Sequence, residues 1–319
     1  MRALILAVVS LAGFAALAAP PSARVILTPR LAEWKSEIEA LGGHTVALAR
    51  VYYDPARGTV SLPQDAPERE AIVEYLRNPN FLKQFVAMQA VTIHHKDGDR
   101  TLHLILLNMG RRPEWGEHEE ALIGQELGRV WLYARNYPQP AYDGRQEACL
   151  AIQAGDLLQR QLIRKELTRR GIDYDAYWLP LLEAAMRRME TAEVRPAEEI
   201  PTCALMSNLV LWLDVRLGTS PEEWPARRRF LQAIRRMYPI LERTSNDLYH
   251  QLAPVDLSDQ TAYERALQLV MHTMYGFVRL VLKRGGIQVK METVQPKPVP
   301  KREEPAVAPL PDSPPDGRP

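Results

Sequence analysis

Ala121-Leu-Ile-Gly-Gln-Glu-Leu-Gly-Arg-Val-Trp-Leu132, within the longer run from Glu117 to Tyr133, is the stretch on which the fold reading turns. Ile123, Leu127, Val130 and Ala134 recur at helical spacing and make one apolar stripe, so the stretch reads as an amphipathic helix. His118, Leu122, Gln125 and Arg129 form a second stripe, with Glu126 beside it. Gly124 and Gly128 lie on a third side. There they allow another element close to the backbone, which offsets their poor helix propensity.

Gln125-Glu126-Leu127-Gly128-Arg129 resembles the active-site helix of the zincin metallopeptidases, whose His-Glu-x-x-His sits among apolar residues, often as His-Glu-Leu-Gly-His. In that family the two histidines hold zinc one helical turn apart, and the glutamate polarises the attacking water. Glutamate, leucine and glycine match, but glutamine and arginine stand at the ligand positions. Glutamine is a poor zinc ligand, and arginine is a permanent cation. The resemblance therefore implies an eroded zinc site: Glu126 as a vestigial general base, Gln125 and Arg129 as vestigial metal positions, and no metal bound there. Zincins often draw a third ligand from the next long helix. On that likeness Asp156, set among Ala154, Gly155, Leu157 and Leu158, is the candidate partner for the Arg129 cation. The simpler alternatives are a local pair between Glu126 and Arg129, or both side chains pointing to solvent.

On the N-terminal side, Val91 to His95 and Thr101 to Leu107 read as a hairpin with Asp97-Gly98 as its turn. That register pairs Ile93 with Leu102, sets Leu102, Leu104 and Leu106 on one face, and makes His94 and His103 diagonal neighbours. A strand just before the motif helix fits the zincin order, in which an edge strand lines the substrate cleft. Further back come a helix opened by Thr28-Pro29, strands at Val46 to Tyr53 and Thr59 to Leu62, and helices at Glu68 to Arg77 and Phe81 to Ala90. On the C-terminal side the patterns are helical. They cover Glu147 to Arg170, a helix capped by Asp173 or Asp175, the apolar Cys203 to Leu217, a helix behind Ser220-Pro221-Glu222-Glu223, and one opened by Thr261. The expected fold is α+β and mostly α: a small antiparallel sheet or hairpin, the zincin-like helix, then a helical bundle.

The chain ends carry other signals. Met1 to Ala18 has the positive start, apolar run and Ala16-Leu17-Ala18 site of a secretory signal peptide, pointing to a bacterial periplasmic or secreted protein. Prolines crowd the far end, so 291–319 reads as a disordered proline-rich tail and 19–290 as the zincin-like domain. Basic residues number 40 and acidic residues 39, and the leader removes one arginine. Net charge thus gives no ground for nucleic-acid binding. No mature segment is long and apolar enough for a stable membrane span. The two cysteines, Cys149 and Cys203, are a candidate disulfide, two buried thiols being the other reading.

Other chemistry is sparse. His94 and His103, with His95 beside them, could contribute to a zinc site, but no third ligand stands at a diagnostic spacing, and a surface or packed histidine pair is the better reading. His44, His250 and His272 are isolated in sequence. His118-Glu119-Glu120 places acid in the first turn of the motif helix. Arg227, Arg228, Arg229, Arg235 and Arg236 form a basic helix face that could meet anionic lipid or cell-wall polymer, the better reading being a solvated face balanced by Glu222, Glu223 and Glu242. The leading expectation is an inactive pseudo-peptidase without cofactor that binds or scaffolds a periplasmic protein or peptide. The alternatives are a working zinc hydrolase with unrecognised ligands, and a helical interaction protein without zincin ancestry.

Overall fold

The computed structural model describes residues 22–54, 56–140, 145–196, 199–218 and 224–284, with backbone alone at 145–148 and 282–284. The expected leader, the expected proline-rich tail and the expected capping box at 220–223 lie outside the described residues. The fold is α+β and mostly helical. It divides into two compact units, one ending at Trp131 and the other starting at Leu132.

In the first unit, helix α1 (Pro29–Ala40) precedes strands β1 (His44–Asp54) and β2 (Thr59–Ser61). Helices α2 (Arg69–Arg77) and α3 (Pro79–Ala87) follow, then β3 (Ala90–Asp97), β4 (Arg100–Asn108), a short helix α4 (Arg112–Trp115) and the motif helix α5 (Glu119–Ala134). Pro79 fills the first position of α3, and the Asn78 side chain accepts from the Asn80 and Phe81 amides, so that helix starts two residues earlier than its apolar pattern suggests. Thr28 holds the N-cap position of α1, with Pro29 behind it, but its side chain makes no capping hydrogen bond. Its hydroxyl instead donates to Glu120 Oε1 at 2.5 Å, tying the start of α1 to the first turn of α5.

The strands form one sheet in the order β2-β1-β4-β3. It is mixed, not antiparallel as expected, because β1 and β4 run parallel at its centre. Parallel neighbours need a long crossover, here the chain through β2, α2, α3 and β3, and no local sequence signal announces such a pairing. The hairpin register also differs from the expectation. Asp97 pairs with Arg100, so the turn residues are Gly98 and Asp99, and Gly98 takes φ 58°. A glycine at the first central position with positive φ is the requirement of a type II′ turn. The shift pairs Ile93 with Leu104 and sets His94 directly opposite His103.

The two sheet faces differ in chemistry. On one, Ala47, Ala49, Val51, Leu104 and Leu106 pack with Ile72 of α2 and Phe85 of α3 in a closed apolar core. Strand alternation puts His44, Arg50, Thr92, His94 and His103 on the other face. That face meets α5, through Arg50 to Glu119 at 2.6 Å and Thr92 to Glu126 at 2.7 Å. Trp34 of α1 and Trp131 of α5 meet edge to face, with centroids 6.4 Å apart.

The second unit is helical: α6 (Arg145–Arg169), α7 (Tyr174–Thr191), α8 (Thr202–Gly218), α9 (Arg227–Met237), α10 (Leu241–Leu252) and α11 (Gln260–Arg284). The Asp173 side chain caps α7 by accepting from the Ala176 amide. Helix α10 has no counterpart in the sequence reading. Helix α11 starts at Gln260, with the Asp259 carboxylate accepting from the Thr261 amide, so Asp259 takes the capping role given to Thr261. Apolar on nearly every side, α8 is the buried helix, in contact with α6, α9 and α10. A disulfide joins Cys149 of α6 to Cys203 of α8, with Cα atoms 5.9 Å apart. Among the described residues no helix is long and apolar enough to cross a membrane.

Candidate functional site

Helix α5 begins where the His118 carbonyl accepts from the Leu122 amide. Glu119 and Glu120 occupy its first turn, where their charge suits the helix dipole. Ile123, Leu127, Val130 and Ala134 are all buried, and so are Gly124 and Gly128. Burial on several sides at once sets α5 apart from a surface helix, and it carries the polar Glu126 inward with it.

Glu126 is only 5% exposed. One carboxylate oxygen accepts from Thr92 Oγ1 of the edge strand β3 at 2.7 Å. The other is 3.5 Å from Arg129 Nε, one helical turn along. A buried carboxylate needs such partners. Both oxygens are therefore committed to protein groups, and a fixed cation stands one turn from the carboxylate, where the resemblance would put a metal ligand. Gln125 and Arg129 are half-buried. Asp156 belongs to the second unit, where its Oδ2 lies 3.7 Å from Arg160, four residues on along α6.

Beside this pair lies a histidine cluster that the sequence reading saw only in part. His94 Nδ1 is 2.8 Å from His103 Nδ1, and His103 Nε2 is 3.0 Å from His44 Nδ1. His44 enters because the parallel β1–β4 pairing brings the start of β1 alongside His103. His95 points to the opposite face and meets the Tyr75 hydroxyl at 3.1 Å. His103 is completely buried and uses both ring nitrogens inside the cluster, one as donor and one as acceptor in the neutral imidazole. Burial, then the nearby Arg129 and His44, lowers His94 to about 4. Burial, then His94 and His44, lowers His103 to about 3. Among the described residues no group of three or more His, Cys, Asp or Glu side chains is placed to hold a metal ion.

The lowered His94 and His103 give a pH dependence with a definite sign. Both folded values lie below the ordinary histidine value near 6.5, so the unfolded chain takes up protons first as pH falls. The stability contribution is complete above about pH 6.5 and declines as pH drops towards 4 and then 3. Between pH 6.5 and 5 the loss is about 2 kcal/mol for each histidine. Urea unfolding of the wild type and His94→Gln at pH 7 and pH 5 measures it. The variant is expected to lose less stability over that interval, and an equal loss in both proteins would contradict the assignment.

Thr92 was also missed, although it sits two residues before His94 and so on the same strand face. Alternation alone could have found it. No known protein family, curated protein or solved structure matches the chain. The zincin likeness of α5 rests on its own residues.

Proposed function

We propose that the chain is an exported, catalytically inactive zincin-like protein of the bacterial periplasm or exterior, acting by binding a protein or peptide. The observation that carries this reading is the Arg129 guanidinium 3.5 Å from the Glu126 carboxylate, whose other oxygen accepts from Thr92. A general base must reach the water it activates, and a carboxylate engaged by a permanent cation and a hydroxyl is poorly suited to that task. Glu126 then serves packing and polarity: it links α5 to the edge strand on which a zincin would lay its substrate. Export is supported by the leader-like start and by the bonded cysteines, which suit an oxidising compartment.

The reading is tested by incubating the purified protein with casein, with and without added zinc, and following cleavage by mass spectrometry. No cleavage is expected in either condition. Cleavage by the wild type that Glu126→Gln abolishes would make the protein a hydrolase.

A further inference from the structure

The second unit holds a cavity of about 670 Å³ between the end of α8 and helix α9, far richer in charge than the α5 site. Among the described residues four guanidiniums line it, those of Arg216, Arg227, Arg228 and Arg235, and no carboxylate does. The indoles of Trp212 and Trp224 add an apolar wall.

The arginines differ in how well their charge is met. Arg235 pairs with Glu242 at 2.5 Å. Outside the lining, Arg229 grips Glu190 through two bonds at 2.5 and 2.6 Å, and Arg236 donates to the Met189 carbonyl. These account for part of the basic face expected to be solvated. Arg216 is different. It donates to Asn246 Oδ1 at 2.6 Å and lies 4.0 Å from the centroid of the Tyr249 ring, both neutral groups. Burial lowers its pKa; Tyr249 works against that, and the charges of Arg227 and Arg235 add to the lowering. Arg227 reaches the Val215 and Arg216 carbonyls at 3.3 and 3.4 Å, and Arg228 is exposed with no carboxylate partner among the described residues. Among the described residues, three cations that repel one another thus face one cavity without a matching carboxylate, an arrangement that favours entry of an anion.

We propose that this cavity is a binding site for a phosphate-bearing anion, seated among Arg216, Arg227 and Arg228 with its non-polar part against Trp212 and Trp224. Guanidinium forks match the oxygens of a phosphate, and three of them suit a dianion better than a single carboxylate. Half-burial of Arg216 in a site walled by indoles strengthens that attraction over a solvated patch. The ligand could be a soluble phosphorylated compound or the headgroup of an anionic lipid.

Two probes distinguish these sources: inorganic pyrophosphate by calorimetric titration, and co-flotation with vesicles of phosphatidylcholine and phosphatidylglycerol, both at low salt. The full chain is compared with Arg228→Gln, Arg216→Gln and a control, Arg243→Gln, which removes the same charge from a side chain 94% exposed and outside the cavity lining. The wild type is expected to bind at least one probe. Arg228→Gln and Arg216→Gln should each weaken it at least tenfold, and the control should leave it unchanged. Pyrophosphate binding alone identifies a soluble ligand, and vesicle binding a lipid headgroup. Should Arg216→Gln fail to fold, the exposed Arg228→Gln decides. Failure of the wild type to bind either probe, or an equal loss in Arg243→Gln, would overturn the proposal.

Discussion

Glu126→Leu is expected to lower the unfolding free energy by about 3 kcal/mol, as read from urea denaturation at pH 7. The leucine fills similar space but removes the acceptor of the Thr92 hydroxyl and the anion beside Arg129, leaving two polar groups of a buried face without it. Glu126→Gln keeps an oxygen for Thr92 and loses only the charge, so its cost is smaller, about 1 kcal/mol. The ordering separates a structural glutamate from a catalytic one. Active-site residues are commonly held at the expense of stability, and replacing them leaves stability unchanged or raises it. A neutral or stabilising Glu126→Leu would place Glu126 among those residues and count against the proposed function.

The second large effect is expected at the disulfide. Cys149 and Cys203 are 54 residues apart in sequence, and cross-linking a loop of that size restricts the unfolded chain by about 4 kcal/mol. Cys149→Ser with Cys203→Ser should lower stability by about that amount, and reducing the wild type should bring its unfolding midpoint close to that of the double variant. Because the bond joins α6 to the buried helix α8, the loss should first appear in the helical signal of the second unit. Titratable thiols in the unreduced, unfolded protein, or a double variant as stable as the wild type, would contradict the bond. The effect also bears on compartment, since a protein that depends on such a bond is poorly suited to a reducing cytosol.

The α5 helix and most of the other helices were legible because they rest on local pattern. Ile123, Leu127 and Val130 at helical spacing bury one side of α5, but that spacing left open whether Glu126 faces solvent, and its burial against Thr92 required the fold. What escaped depends on contacts distant in sequence or on fine turn geometry. The β1–β4 pairing joins residues more than fifty positions apart, and it alone brings His44 to His103. The choice of Gly98-Asp99 over Asp97-Gly98 for the turn moved His94 from a diagonal to a direct neighbour of His103, a reminder that turn type decides register. At α9, the five arginines were visible as a charged face. The pairing of Arg229 and Arg235 with carboxylates, and the absence among the described residues of a carboxylate for the cavity-facing Arg227 and Arg228, required the fold, as did the contribution of Arg216 from a different helix.

Metal content of the purified chain, measured by mass spectrometry after dialysis against trace zinc and then metal-free buffer, tests the central claim most directly. With Gln125 and Arg129 where the proposed zincin likeness puts the ligands and the Arg129 cation beside Glu126, the protein is expected to emerge without stoichiometric zinc. One tightly held zinc per chain would contradict the eroded site and make a metallohydrolase the better account.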